Sequence, residues 1–133
     1  MNKLLLTTLC LVGLSACGQP RVEVVVPLGI VNVSPHDGAI GIATDAVPTV
    51  CFNREMDVTA ATGALTLRVE GESSDVPGLG IKATAVAECL ALDHEALLAN
   101  TSYVIVVSKG LAAADDTRFA ADVTSHFRTA TAP

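Results

Sequence analysis

Apolar residues recur at every second position in short runs, and clusters of glycine, proline, asparagine and aspartate separate the runs. That spacing puts alternate side chains on opposite faces of an extended chain, so it restricts the fold to short strands. Leu65, Leu67 and Val69 alternate with Thr66, Arg68 and Glu70. Val31 and Val33 alternate with Asn32 and Ser34, Val50 and Phe52 share a face, and Val123 and Phe127 alternate with Thr124, His126 and Arg128. The stretch from Tyr103 to Val107 is apolar on both faces, the pattern of a strand inside a sheet. Ile81 to Leu92 reads as one or two more strands. Pro35-His36-Asp37-Gly38 is a turn, and Glu72 to Gly80 is a polar loop. Helical periodicity is weak, amounting to a turn each in Glu95–Asn100 and Ala112–Ala121. The pattern predicts an all-β antiparallel sandwich of about seven strands.

The N-terminus follows another logic. Lys3 precedes a run of apolar and small residues from Leu4 to Leu14, then Ser15-Ala16-Cys17. One cation, a short greasy core and small residues before a cut make a secretory signal. The run is shorter than the roughly 20 apolar residues that a membrane-crossing helix needs. Leu14-Ser15-Ala16-Cys17 resembles the lipobox of bacterial lipoproteins. The resemblance implies a signal peptide over residues 1–16 and a lipidated, acylated Cys17. The alternative is plain secretion with Cys17 left as a free thiol. Two chains on one residue suffice for stable anchoring, each buried methylene adding about 0.8 kcal/mol. Residues 17–29 then form a tether and residues 30–133 the domain. The tether's Val22, Val24, Val25 and Val26 suggest an extra strand along the domain edge, since bare valines favour aggregation.

Cleavage after residue 16 removes Lys3 and moves the net charge from −6 to −7. Nucleic acid and anionic membrane surfaces want basic patches, so this balance argues against both as partners. Four aromatic residues, Phe52, Tyr103, Phe119 and Phe127, are too few for a stacking platform. Cys10 leaves with the signal, and Cys17 takes the lipid. Cys51 and Cys89 remain and are expected to pair in an oxidising compartment. Two buried thiols are the alternative, and a metal pair is a weaker one, because neither cysteine has a Cys or His at ligand spacing.

Three segments, in order, resemble the bacterial Ig-like module named after the S-layer protein SbsA. They are Val33-Ser34-Pro35-His36-Asp37-Gly38-Ala39, Val50-Cys51-Phe52-Asn53-Arg54-Glu55-Met56-Asp57, and Leu97-Leu98-Ala99-Asn100-Thr101-Ser102-Tyr103-Val104-Ile105. The closing His126-Phe127-Arg128-Thr129-Ala130 fits the same pattern, so the likeness covers about residues 30–131. The loop over residues 110–122 departs from it, lacking the module's usual Asp-x-x-Gly-Asn turn. In such a fold Met56 would plug one end of the core. Tyr103 would send its hydroxyl to nearby backbone as a tyrosine corner.

Chemistry is sparse. His36, His94 and His126 are the only histidines. His94-Glu95 begins an H-E-x-x-H motif that fails at Leu98. No nucleophile elbow, phosphate loop or dinucleotide fingerprint occurs, so no catalytic residue, resident metal or cofactor is expected. Asp115 and Asp116, with Asp122, could offer carboxylates to calcium, with an ordinary solvated acidic loop as the simpler reading.

The expectation is a non-enzymatic, lipid-anchored Ig-like module. It would be a structural or protein-interaction element of the cell envelope, with a membrane contact through Cys17 and an envelope or extracellular protein as partner. Gly18 after Cys17 does not resemble an inner-membrane retention signal, so an outer-membrane location is expected in a two-membrane host. The alternative is a copper carrier. Small periplasmic carriers of the CopC type have a similar opening turn, but they bind copper through an N-terminal histidine where this chain would present an acylated Cys17. Met56 alone would remain for thioether ligation.

Overall fold

Among the described residues the period-two runs become eight strands, and a single helical turn breaks their succession. The computed structural model describes residues 18, 20–24 and 26–133; the leader 1–16 and Cys17 lie outside the described residues. One sheet has the order β1 (Ile30–Ser34), β3 (Thr49–Phe52), β6 (Cys89–Asp93), β5 (Gly80–Ala83), and all its pairings are antiparallel. The other has the order β2 (Ala39–Ile42), β8 (Val123–Thr129), β7 (Ser102–Val107), β4 (Leu65–Val69). Here β4–β7 and β7–β8 are antiparallel, but β2–β8 is parallel. The Ig-like β-sandwich is thus present with one mixed sheet and one strand more than the alternation suggests.

The extra strand arises because β1 and β2 run in the same direction on different sheets. The turn between them carries the chain across the sandwich. It contains a cis Ser34–Pro35 peptide, and Pro35 is buried. Gly38 adopts φ +80°, a conformation open to glycine at no steric cost.

The core lies between the sheets. Val50, Phe52, Leu90 and Leu92 come from one side; Leu65, Leu67, Tyr103, Ile105, Val107 and Phe127 come from the other. Burying each such side chain contributes about 1.5–3 kcal/mol. Tyr103 stacks on Phe127 with ring centroids 5.7 Å apart, and Phe119 meets the edge of Phe52 at 5.8 Å.

Four local expectations change. A bulge between Ile30 and Asn32 shifts the β1 register, so Ile30 and Val33 pack on the core while Val31 is 68% exposed. Residues 22–24 and 26 belong to no strand, and Val22 and Val24 are about four-fifths exposed; Val25 lies outside the described residues. Residues 95–100 and 112–121 hold no helix, because Leu97 and the 111–113 run turn inward in irregular backbone. Among the described residues the one helical turn is α1 (Val58–Ala61), whose N-cap Asp57 accepts the Thr59 N–H at 2.9 Å.

Strand directions define two ends. The chain comes in beside Phe52 and the β7–β8 loop, which we term the proximal end. It leaves after Thr129, beside the start of β7, at the distal end.

Candidate functional site

The residues of the recurring motifs converge on three polar locks. The first holds the incoming chain. β3 ends at Phe52, and the next residue, Asn53, turns back onto residues 27–29. Its Oδ1 accepts the Gly29 N–H (2.9 Å), its Nδ2 donates to the Pro27 carbonyl (2.9 Å), and its own N–H donates to the Gly29 carbonyl (3.0 Å). Arg54 donates to the Val26 carbonyl and pairs with Asp115 at 2.9 Å. Leu28, between these contacts, is buried in the core. Met56 is buried too and bridges Ala113 of the β7–β8 loop, so it closes the proximal end of the core. The tether's last residues are therefore part of the domain. Nothing in the sequence marks Asn53 and Arg54 as their holder beyond their place in a motif.

The second lock is the sheet-crossing turn. Asp37 Oδ1 accepts the His126 N–H (2.8 Å), and the Gly38 N–H donates to the His126 carbonyl (2.7 Å). The turn is thereby pinned to β8, and β2 starts in parallel alongside it.

The third lock is distal. The Tyr103 hydroxyl accepts the Leu98 N–H at 2.8 Å, the tyrosine corner expected from the sequence. Thr129 Oγ1 donates to the Leu98 carbonyl and accepts the Thr101 N–H. Arg128 places two nitrogens on Asn100 Oδ1, at 2.9 and 3.2 Å, where Asn100 adopts φ +50°.

The remaining candidate residues are dispersed. Cys51 and Cys89 face each other across β3 and β6, with Cα atoms 4.0 Å apart, and form a disulfide on the outer face of that sheet. Asp115, Asp116 and Asp122 do not converge. Asp115 serves Arg54 and the Thr117 N–H, Asp116 pairs with Arg118 at 3.0 Å, and Asp122 accepts the Lys109 N–H. Among the described residues no three His, Cys, Asp or Glu side chains gather around a common point. His36 is exposed in the turn, His94 spans the carbonyls of Ala46 and Glu95, and His126 lies beside Asp37.

Two carboxylates are perturbed. Hydrogen bonds from Thr117, reinforced by Arg54, hold Asp115 below the ordinary aspartate range. Lys82, through its hydrogen bond and its charge, does the same to Asp93. Both are surface ion pairs of structural character.

A hollow at the distal end was not foreseen from the sequence. It measures about 250 Å³ and lies between the 72–77 loop, residues 95–98 and Tyr103. The signal for it was present but diluted: Leu98 lies in an apolar run, Ala96-Leu97-Leu98-Ala99, that belongs to no strand.

A family model described as bacterial Ig-like domain matches residues 24–129. Among solved structures the chain is similar to the N-terminal part of the bacterial S-layer protein SbsC, with a TM-score of 0.55, 16% identity, and coverage of 79% of this chain and 24% of that one. It is similar to CopC from Methylosinus trichosporium OB3b, with a TM-score of 0.59, 16% identity, and coverage of 80% and 96%. Similarity extends to an alpha-2-macroglobulin fragment from Escherichia coli spanning domains MG0-NIE-MG1, with a TM-score of 0.60, 16% identity, and coverage of 80% and 33%. At these identities the likeness is one of fold. This chain spans about a quarter of the SbsC fragment and a third of the macroglobulin one. No curated protein sequence matches it.

Proposed function

The chain belongs to the bacterial Ig-like domain family, and from that membership we propose that it is a non-catalytic, lipid-anchored module of the cell envelope that holds or presents a protein contact away from the membrane. The observation that carries this reading is the arrangement of the two ends. The chain comes in at one end of the sandwich and leaves at the other, and the incoming segment is clamped by Asn53 and Arg54. A clamp of this kind fixes how the domain stands on whatever precedes it. Lipidation at Cys17 supplies the attachment, a few residues ahead of the clamped segment. The surface character of the family and the likeness to an S-layer protein support an envelope or extracellular location. No helix of the described residues is long and apolar enough to cross a membrane. In a two-membrane host the absence of a retention signal at Gly18 favours the outer membrane.

The test is direct. Mass spectrometry of the mature N-terminus is expected to find a diacylglyceryl-modified, acylated Cys17. Cys17→Ala is expected to move the protein from the membrane to the soluble fraction. An unmodified Cys17, or a variant that still fractionates with membranes, overturns the anchor.

The CopC-like structure raises copper carriage as a competing reading. In this chain Met56 is 8% exposed and packed into the core, so its thioether is not presented to solvent. A Cu(II) titration that reaches submicromolar affinity would revive that reading.

A further inference from the structure

The distal hollow has a chemistry that selects its occupant. The greater part of its lining is apolar, with Val76, Leu97, Leu98 and the ring of Tyr103 prominent in it. Tyr103 is fixed from behind by Phe127 and from in front by its hydroxyl contact with the Leu98 N–H, so this wall is rigid. Leu98 nevertheless leaves 66% of its surface in solvent. The 72–77 loop closes the other side, pinned by the Val76 N–H on the Leu67 carbonyl and the Glu95 N–H on the Pro77 carbonyl. Gly78 makes that closure possible. It adopts φ +72°, and a Cβ there would lie 2.8 Å from Glu95 Cγ.

Glu72, Ser74, Asp75 and Glu95 supply its polar part. Among the described residues neither glutamate carboxylate has a hydrogen-bond or salt-bridge partner. Asp75, beside them, is different because Arg68 already pairs with it at 3.2 Å. The site therefore offers an apolar slot with two uncompensated negative charges at its mouth. Lysine and arginine carry an aliphatic stem that covers apolar surface and a cationic head that stays at the rim. An acidic or purely apolar ligand would satisfy one half of the site and oppose the other.

We propose that this hollow is a docking site for an extended segment of a partner protein that presents a lysine or arginine next to an aliphatic residue. The aliphatic stem and its neighbour lie against Leu98 and Val76, and the cationic head meets Glu72 and Glu95. The site is at the end opposite the clamped tether, so a membrane-held domain would turn it outward. The inference gives a partner chemistry to the interaction module proposed above and rests on that reading for the partner, but not for the lipid. Four of the chain's own cations, Arg54, Arg68, Lys82 and Arg118, are already paired within the domain, and the exposed Arg21-Val22 of a second copy is the competing occupant that the sedimentation readout below tests.

The experiment uses the full chain in non-ionic detergent micelles and a fluorescein-labelled peptide, Gly-Leu-Lys-Leu-Lys-Gly, followed by anisotropy. Saturable binding is expected with this peptide and none with its glutamate counterpart. Affinity should fall with added salt. Leu98→Gln combined with Glu95→Gln is expected to weaken binding about tenfold, the effect of roughly 1.4 kcal/mol. Both residues are exposed, so the variant is expected to fold, and an unchanged melting temperature checks this. Glu55→Gln, at the proximal end, should leave affinity as it was. Equal weakening by the proximal and distal variants, or by neither, overturns the proposal. So does a dimer, seen by sedimentation, that the peptide displaces. Cys17→Ala fractionation reads the anchor separately, so either idea can fail alone.

Discussion

At the proximal end Arg54 meets both Asp115 and the Val26 carbonyl, and Asn53 satisfies the backbone of Pro27 and Gly29. At the distal end Arg128 and Thr129 bind the 98–101 turn, yet among the described residues Glu72 and Glu95 have no cation partner and Leu98 is largely exposed. Both ends use polar side chains to hold loops, and both sit on the same core. The difference lies in what remains after the loops are held. At the proximal end Arg54 is matched by Asp115 and Met56 plugs the core. The distal end keeps apolar surface and negative charge in reserve, which is how a binding surface differs from a structural seam.

The disulfide is where this comparison is tested hardest. Closing 38 residues between Cys51 and Cys89 contributes about 4 kcal/mol on the chain-entropy model. Chemical denaturation of the Cys51→Ala/Cys89→Ala variant should show a loss of that size, while distal peptide binding persists under native conditions. A loss well under 1 kcal/mol would mean that the proximal half does not depend on its staple.

Asn53→Ala removes the tether clamp and should cost about 2 kcal/mol for its two side-chain hydrogen bonds. Exchange of the Gly29 amide should accelerate while the Leu98 amide stays protected. Tyr103→Phe does the converse. It leaves the Leu98 N–H without its partner, at a cost of about 1 kcal/mol, and exchange should rise at the distal turn alone. If either variant loosened both ends equally, the two ends would not be separable units.

Acid should act on the proximal end with a smaller effect. Asp115 is held below the ordinary aspartate range in the fold, so it adds stability above its unfolded value and loses it as pH falls through the folded one. The contribution is complete above about pH 4 and fades below it. Denaturation midpoints should decline in that range, and Asp115→Asn should decline less. The smallest effect is expected at Ser125, whose hydroxyl is buried on β8 and has no hydrogen-bond partner among the described residues. Ser125→Ala should change stability by no more than about 0.5 kcal/mol, a shift read from melting curves.

Strands that carry their own alternation were legible in the sequence. Leu65, Leu67 and Val69 on β4 and the apolar run of β7 needed only period two and burial. What failed was decided by tertiary geometry. Val31 alternates correctly with Asn32, but a one-residue bulge turns it outward. β2 holds four residues, one of them Gly41 at φ +69°, too few to show a period, and it exists because Asp37 and Gly38 dock on His126. The valines of the tether look like a strand by composition, and residues 22–24 and 26 lie outside both sheets. Part of the candidate site was readable: the two cysteines, Met56 and Tyr103 each play the part their neighbours implied. The clamp and the distal hollow were not, since each depends on residues more than twenty positions apart meeting through the fold.

The parallel pairing of β2 with β8 has a mechanical side. The chain's two ends leave the sandwich in opposite directions, and β2 and β8 lie along the line joining them. Tension between an anchored N-terminus and a load beyond Thr129 would slide these strands past each other. Their backbone bonds lie across that direction of pull, so they would have to yield together rather than peel one by one.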